Sequence, residues 1–276
     1  MQANELTKHD VLTEQEMANF AFNPRILKQL ERCRKKLNLE KDRMNILDWG
    51  CGRGRAVVWL REQGYKAFGV DIDPEPVENC RNLLSSRGVN PDCLIYLIQN
   101  NTAKEFSDEH FHFIFSYGVF EHIKDLDQVA AEFKRIMAPE AIGAHFFPAH
   151  KHLVETHLRM PFLHWLPKNG LRMICIKSTL MLGKGPKWKE LEGLSIEDQA
   201  KTYYNYSVNK TFYRSPALLR EVFSKVGLNI EFIHLDDYGV NDYPVLKALV
   251  KIKPLRPILN WAMRNFGRVG LLITNG

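Results

Sequence analysis

Residues Ile46-Leu47-Asp48-Trp49-Gly50-Cys51-Gly52-Arg53-Gly54-Arg55 (ILDWGCGRGR) decide how the rest of the chain is read. A short apolar run ends in an acid, and three glycines follow at alternate positions. Glycine costs roughly 0.5–1 kcal/mol relative to alanine in regular structure. Three together mark a place where backbone turns sharply or comes close to a ligand. The ligand has to be inferred from the surroundings.

Working outward, residues 44–147 alternate between apolar strands and helices. The strand candidates are 45–48, 66–71, 93–98, 111–116 and 141–147, with helical stretches at about 54–63, 74–87 and 126–137. That rhythm predicts an α/β fold, a doubly wound Rossmann-like sheet that is mostly parallel and covered by helices. Residues 1–43 form a helical lead-in, with Asn23 as cap and Pro24 in the first turn of a helix over 23–38. Residues 148–210 lose the strand rhythm and carry four prolines and many aromatics. They are expected to form a mostly helical lid, inserted after the fifth strand. Residues 211–276 complete the core with a helix at 215–226, a strand at 228–235, two short helices and a final strand near 269–273.

The bulk numbers narrow the class. Apolar residues at 45% and charged residues at 25% fit an ordinary globular protein and exclude gross disorder. No apolar run reaches the roughly 18–20 residues needed to span a bilayer, and the start MQANELTKHD has no signal-peptide core. Five cysteines without a CxxC read as reduced thiols of a cytosolic protein. The net charge of +6 is uneven: 151–190 hold eight Lys/Arg against two Glu, and 243–276 hold six against no acid. The later half is therefore either plain solvated surface or a face for something anionic, such as a phosphorylated acceptor or a lipid headgroup.

In an open parallel sheet a ligand lies beyond the carboxyl ends of the strands, where the 50–54 turn sits. A dinucleotide site spaces its glycines GxGxxG; here the spacing is GxGxG, with Asp48 just before. A carboxylate there repels pyrophosphate and suits a cationic group, such as the ammonium of a methionine moiety. Asp71, at the tip of the second strand, is placed to accept both hydroxyls of an adenosine ribose, and Asp73 to cap the next helix. Gln99-Asn100-Asn101-Thr102 offers amide donors and acceptors to an adenine edge.

These three stretches, ILDWGCGRGR, FGVDIDP and DEHFHFIFSYGVFEHIKDLDQVAAEFKRIMAP, resemble the class I S-adenosylmethionine-dependent methyltransferases over about residues 44–147. The resemblance implies a seven-stranded sheet and S-adenosyl-L-methionine as cofactor, leaving as S-adenosyl-L-homocysteine. It implies cofactor contacts from Asp48, Gly50, Cys51, Gly52 and Gly54, from Asp71 and Ile72, from Asn100 or Asn101, and from Ser116 and Gly118 after the fourth strand. The chain departs from the family pattern at His112, which replaces an Asp. It also has Pro139-Glu140-Ala141 in place of Pro-Gly-Gly, and an Asn in place of the usual Asp near the adenine.

Methyl transfer from a sulfonium is a single displacement, so the protein must align the reactants and often remove the acceptor's proton. The chain lacks the [Asn/Asp]-Pro-Pro-[Tyr/Phe] element of exocyclic-amine nucleic-acid enzymes and a Pro-Cys nucleophile. Glu121-His122 is expected to pack and hydrogen-bond beneath the cofactor, with His122 the less favoured base. The bases favoured are His150, soon after the fifth strand, and His157, in the VETHLRMPFLHWLP stretch that would roof the site. His145, His152 and His164 are surface or packing residues on this reading. The histidine spacing forces no metal site, and none is expected. Phe162, Trp165, Trp188, Tyr203, Tyr204 and Tyr206 either line an acceptor pocket or fill the lid's own core.

HLVETHLRMPFLHWLPK and YYNYSVNKTFYRSPALLREVFSKVGL are similar to methyltransferases of bacterial surface polysaccharides and lipid-linked glycans. The first expectation is thus O-methylation of a sugar, glycan or related anionic metabolite by a cytoplasmic enzyme. A natural-product or other small-molecule acceptor comes second, and RNA third. From Leu255 on, apolar residues at 258, 259, 262, 263 and 266 with Arg256, Arg264 and Arg268 make a basic amphipathic segment. It either packs on the core or lies peripherally on an anionic membrane face.

Overall fold

In a computed structural model of the chain, residues 14–235, 248–249 and 251–275 are described, apart from the side chains of Glu14, Glu16 and Cys93. The first third of the expected lead-in and most of the first short helix of the tail lie outside these residues.

Seven strands form one sheet: β1 Asn45–Trp49, β2 Lys66–Asp71, β3 Ile95–Leu97, β4 Phe111–Tyr117, β5 Met137–Pro148, β6 Asn229–Phe232 and β7 Arg268–Thr274. Their order is β3-β2-β1-β4-β5-β7-β6. The first five run parallel, and β7 lies antiparallel between β5 and β6. The order reverses between β1 and β4, so a crevice opens at their carboxyl ends.

The helices of the core are α1 Glu14–Ala18, α2 Pro24–Leu37, α3 Arg55–Glu62, α4 Pro74–Ser86 and α5 Leu126–Ile136. Those of the later half are α6 Gly170–Met181, α7 Ile196–Asn209 and α8 Pro216–Lys225, followed by a C-terminal helix Arg256–Phe266. Asn23 caps α2 by accepting from the Arg25 N–H, with Pro24 in the first turn. Asp73 caps α4 by accepting from Glu75 N–H. Both caps follow from a short polar acceptor ahead of a proline that has no N–H to satisfy.

Two apolar layers sandwich the sheet. One packs α5 and α8 around Ile114, Phe120, Phe133, Phe223 and Leu271. The other packs α2, α3 and α4 around Leu30, Ile46, Val57, Cys80, Phe113 and Phe115. Residues 148–210 have a separate small core, in which Leu158, Met160, Leu163, Ile176, Leu191, Ala200 and Tyr203 are buried between α6 and α7. Trp188, Tyr204 and Tyr206 pack against that core, while Phe162 and Trp165 stay about half exposed. Four of the six lid aromatics therefore hold the lid together.

The C-terminal helix packs loosely on the fold through Met263 and through Arg264, stacked on Phe232. Ile258 and Trp261 point outward, each more than half exposed. No helix among the described residues is long and apolar enough to cross a membrane. Cys33, Cys51, Cys80 and Cys175 are free thiols.

Candidate active site

The turn after β1 is built by left-handed backbone at Gly50 (φ 79°), Gly52 (φ 51°) and Gly54 (φ 67°). The first and third glycines are required by packing. A Cβ on Gly50 would lie 2.5 Å from Val119 Cγ2, and one on Gly54 would lie 2.0 Å from Cys80 Sγ. A Cβ on Gly52 would meet nothing within 4 Å. Space is open at the middle glycine, where α3 also begins with its amino end.

Two acids stand at this turn. Asp71 Oδ2 accepts from Gly52 N–H at 2.8 Å and its Oδ1 from Asp73 N–H at 3.0 Å. Burial pushes its pKa up, and these backbone donors pull against that push. Asp48 is only 6% exposed. Burial, with the Asp71 charge nearby, raises its carboxyl to about 8. The same surroundings push the buried Cys51 thiol well up, so it is an un-ionised neighbour of the turn.

Ile72, at the tip of β2, is 63% exposed. Asn100 and Asn101 have φ of 50° and 51° and form a tight turn closed by a bridge between Gln99 and Thr102. Gly118 (φ 70°) follows β4, and its N–H bonds to Phe146 C=O on β5.

Ser116 corrects an expectation. It is 0% exposed, and its hydroxyl lies 2.9 Å from His145 Nδ1, so the side chain belongs to the core and not to the crevice. His145 stacks on Phe133 and packs tilted against Phe120, and burial lowers its pKa to about 3.

Past Gly118 the chain makes a second polar centre. Arg214 holds the 120–124 loop by donating to the carbonyls of Phe120, Ile123 and Lys124. On that loop, His122 Nδ1 lies 2.6 Å from Lys210 C=O, and its Nε2 lies 3.1 Å from His157 Nε2. His157 Nδ1 is 3.0 Å from Glu155 Oε1, which also accepts from Tyr213 OH. The other Glu155 oxygen accepts the backbone N–H groups of His157 and Leu158. Burial alone would raise the Glu155 pKa, but these donors outweigh it and hold the carboxylate below its usual range. Burial lowers the pKa of His122 and raises Glu121 to about 7.

Of the two expected bases, His157 therefore sits in a built environment. His150 is half-buried, its Nδ1 has no partner, and burial lowers its pKa. Glu155 and Tyr213 were missed in the sequence, although the Glu-x-His spacing of 155–157 was a usable signal. The histidine spacing gave no sign of a donor cluster, but Glu121, His122 and His157 bring one donor atom each within 4.8 Å of one another.

Residues 47–144, the span holding the glycine turn, both acids and the start of the second centre, match a family model described as a methyltransferase domain. Over that span the chain is similar to this domain. The cofactor of the methyltransferase domain is S-adenosylmethionine. The sterol 4-C-methyltransferase strm-1 of Caenorhabditis elegans is 24% identical over 196 residues, which cover 69% of this chain and 57% of that protein. The chain thus spans little more than half of this curated relative. Among solved structures, phosphoethanolamine N-methyltransferase 2 of Haemonchus contortus with S-adenosylmethionine is 12% identical. It covers 99% of this chain and 59% of its own, with a TM-score of 0.53. A sarcosine dimethylglycine methyltransferase candidate from Galdieria sulphuraria is 16% identical, covering 91% and 83%, with a TM-score of 0.49. The likeness to the Haemonchus contortus structure is one of fold, the α/β arrangement described above.

Proposed function

We propose that the chain transfers a methyl group from S-adenosylmethionine to an oxygen of a small acceptor, a sugar, glycan or related anionic metabolite, bound between the crevice and the lid. The observation that carries the cofactor end is the buried Asp48 carboxyl, its pKa raised by burial, beside the open space at Gly52. Burying a carboxylate is costly, and a cationic ammonium beside it would offset that cost. When bound, S-adenosylmethionine supplies an already activated methyl group. The chain's own residues then orient, exclude water and take a proton.

In this reading Gly50, Cys51, Gly52 and Gly54 form the floor under the methionine part. Asp71 keeps free lone pairs on both oxygens for the ribose hydroxyls, and the exposed Ile72 side chain covers one face of the base. The 100–101 turn borders the adenine edge, and Gly118 borders the sulfonium. Removal of the acceptor's proton is assigned to the His157–His122 pair, oriented by Glu155 and by Lys210 C=O. An imidazole lone pair is suited to accept a hydroxyl proton near neutral pH.

A lipid acceptor is the second reading, favoured by the sterol methyltransferase relative. Leu171, Ile174 and Met181 on α6, with Ile258 and Trp261 on the C-terminal helix, are more than half exposed. Together with the basic residues of 151–190 they would suit a peripheral contact with an anionic membrane face.

A screen of acceptors with a methyl-labelled donor, including phosphorylated sugars, lipid-linked glycans and sterols, tests the acceptor. Calorimetry with S-adenosylmethionine tests the crevice: Asp48→Asn should weaken binding at least 10-fold. Unchanged affinity in that variant would remove the cofactor assignment.

A further inference from the structure

We propose that Glu121, His122 and His157 form a binding site for a divalent transition-metal ion of the zinc type, with one coordination position left open to the acceptor. The inference rests on reading the adjoining crevice as the place of methyl transfer, but the ion site itself is argued from the donors.

The tautomers come first. Lys210 C=O and the Glu155 carboxylate can only accept, so the Nδ1 atoms facing them, at 2.6 and 3.0 Å, must carry the hydrogens. In two neutral rings both Nε2 atoms then hold lone pairs, and these face each other at 3.1 Å. That juxtaposition is repulsive unless a cation lies between them. Two nitrogens each about 2.0–2.1 Å from one zinc ion lie roughly 3.3–3.4 Å apart at a tetrahedral angle, so a shift of a few tenths of an ångström would seat the ion.

A third donor points the same way. Glu121 is 3% exposed, and its Oε2 is buried with no hydrogen-bond partner. All three donor atoms lie within 4.8 Å of one another. Two imidazoles and a carboxylate form a set that holds zinc with a fourth position open. The outer partners are also those a metal site uses: ligand histidines give their second N–H to a carboxylate or a backbone carbonyl. Here Glu155 and Lys210 C=O fill those two roles.

The position is informative as well. A Cβ on Gly118 would lie 3.6 Å from Glu121 Oε1, and Val119 packs on Gly50 of the crevice turn. An ion there would sit at the acceptor side of the crevice and engage both imidazole lone pairs. By acidifying the acceptor's oxygen, the ion would take the place of the histidine pair as base and favour an acceptor with an ionisable oxygen (a hydroxyl, carboxylate or phosphate).

The test uses the full chain stripped with a chelator and dialysed. Titration with Zn2+ by calorimetry, and with Co2+ by visible absorption, should show one ion per chain. His122→Gln, His157→Gln and Glu121→Gln should each weaken Zn2+ at least 100-fold, and Glu155→Gln should weaken it 10–100-fold. Circular dichroism and S-adenosylmethionine binding report whether each variant is folded. Binding of no ion, or an affinity unchanged in both histidine variants, would overturn the site and leave a shared proton as the occupant of the pair. Full turnover by the stripped protein would overturn the ion's part in the reaction. Loss of cofactor binding with Zn2+ binding intact would instead count against the proposed crevice.

Discussion

Asp71 Oδ2 accepts the N–H of Gly52 at 2.8 Å, so the tip of β2 fastens the middle of the glycine turn. The same carboxylate thus has a structural bond and a proposed bond to the cofactor's ribose. The two roles separate by substitution. Asp71→Asn keeps an acceptor for Gly52 but loses the one for Asp73 N–H. It should therefore lower thermal stability less than Asp71→Ala while weakening S-adenosylmethionine about 10–100-fold, the range of a bond to a charged group. Asp71→Ala should lower both. Thermal shift and calorimetry on the two variants check this.

Asp48 gives the proposed cofactor site a proton linkage. Its carboxyl is raised from 3.8 to about 8 in the folded chain, so the fold binds a proton that the unfolded chain releases. The stability tied to that proton is present in full below pH 4 and is lost as pH rises through 8. Asp48→Asn should therefore flatten the fall in melting temperature between pH 4 and 8. In the native chain, binding of a cationic ligand beside Asp48 should release close to one proton at pH 7. Calorimetry in two buffers of different ionisation enthalpy measures that number.

His145 sets the acid limb. Its pKa is held at about 3 by full burial, against an ordinary 6.5, so it stays neutral in the fold while the unfolded chain protonates. Stability should be complete above pH 6.5 and fall as pH drops toward 3, by up to about 4–5 kcal/mol. His145→Phe with Ser116→Ala removes the titrating ring and the hydroxyl it satisfies. The double variant should shift acid unfolding to lower pH, while His145→Phe alone leaves Ser116 unpaired and should cost about 1–3 kcal/mol.

Glu140 holds φ 59°, a left-handed conformation, where the family pattern has a glycine. Its ion pair with Lys36 is long, at 3.6 Å, and both groups are exposed, so it offsets little. Glu140→Gly should stabilise the fold by about 0.5–1 kcal/mol. Denaturant unfolding would show the midpoint moving up with an unchanged slope.

What could be read in the sequence was local. Asn23 and Asp73 were placed as caps because the polar acceptor, the proline and the apolar period are neighbours in the chain. The glycine turn and the β2 acid were legible for the same reason. Ser116 was misplaced because β4 is buried on both faces, so no alternation tells which way its side chains point. The second polar centre was seen only in part. His122, His157 and Tyr213 are far apart in sequence, and only the docking of the 210–214 segment on the 120–124 loop unites them.

The strand order has one more consequence, for the chain as it is made. Residues 268–274 are synthesised after β5 and β6 yet occupy the row of the sheet between them. Until they leave the ribosome, β5 presents a bare edge and β6 has no neighbour to join. A stalled or clipped product ending before Arg268 would keep the whole cofactor crevice but expose a sticky strand margin. Such a product should clump before it can work.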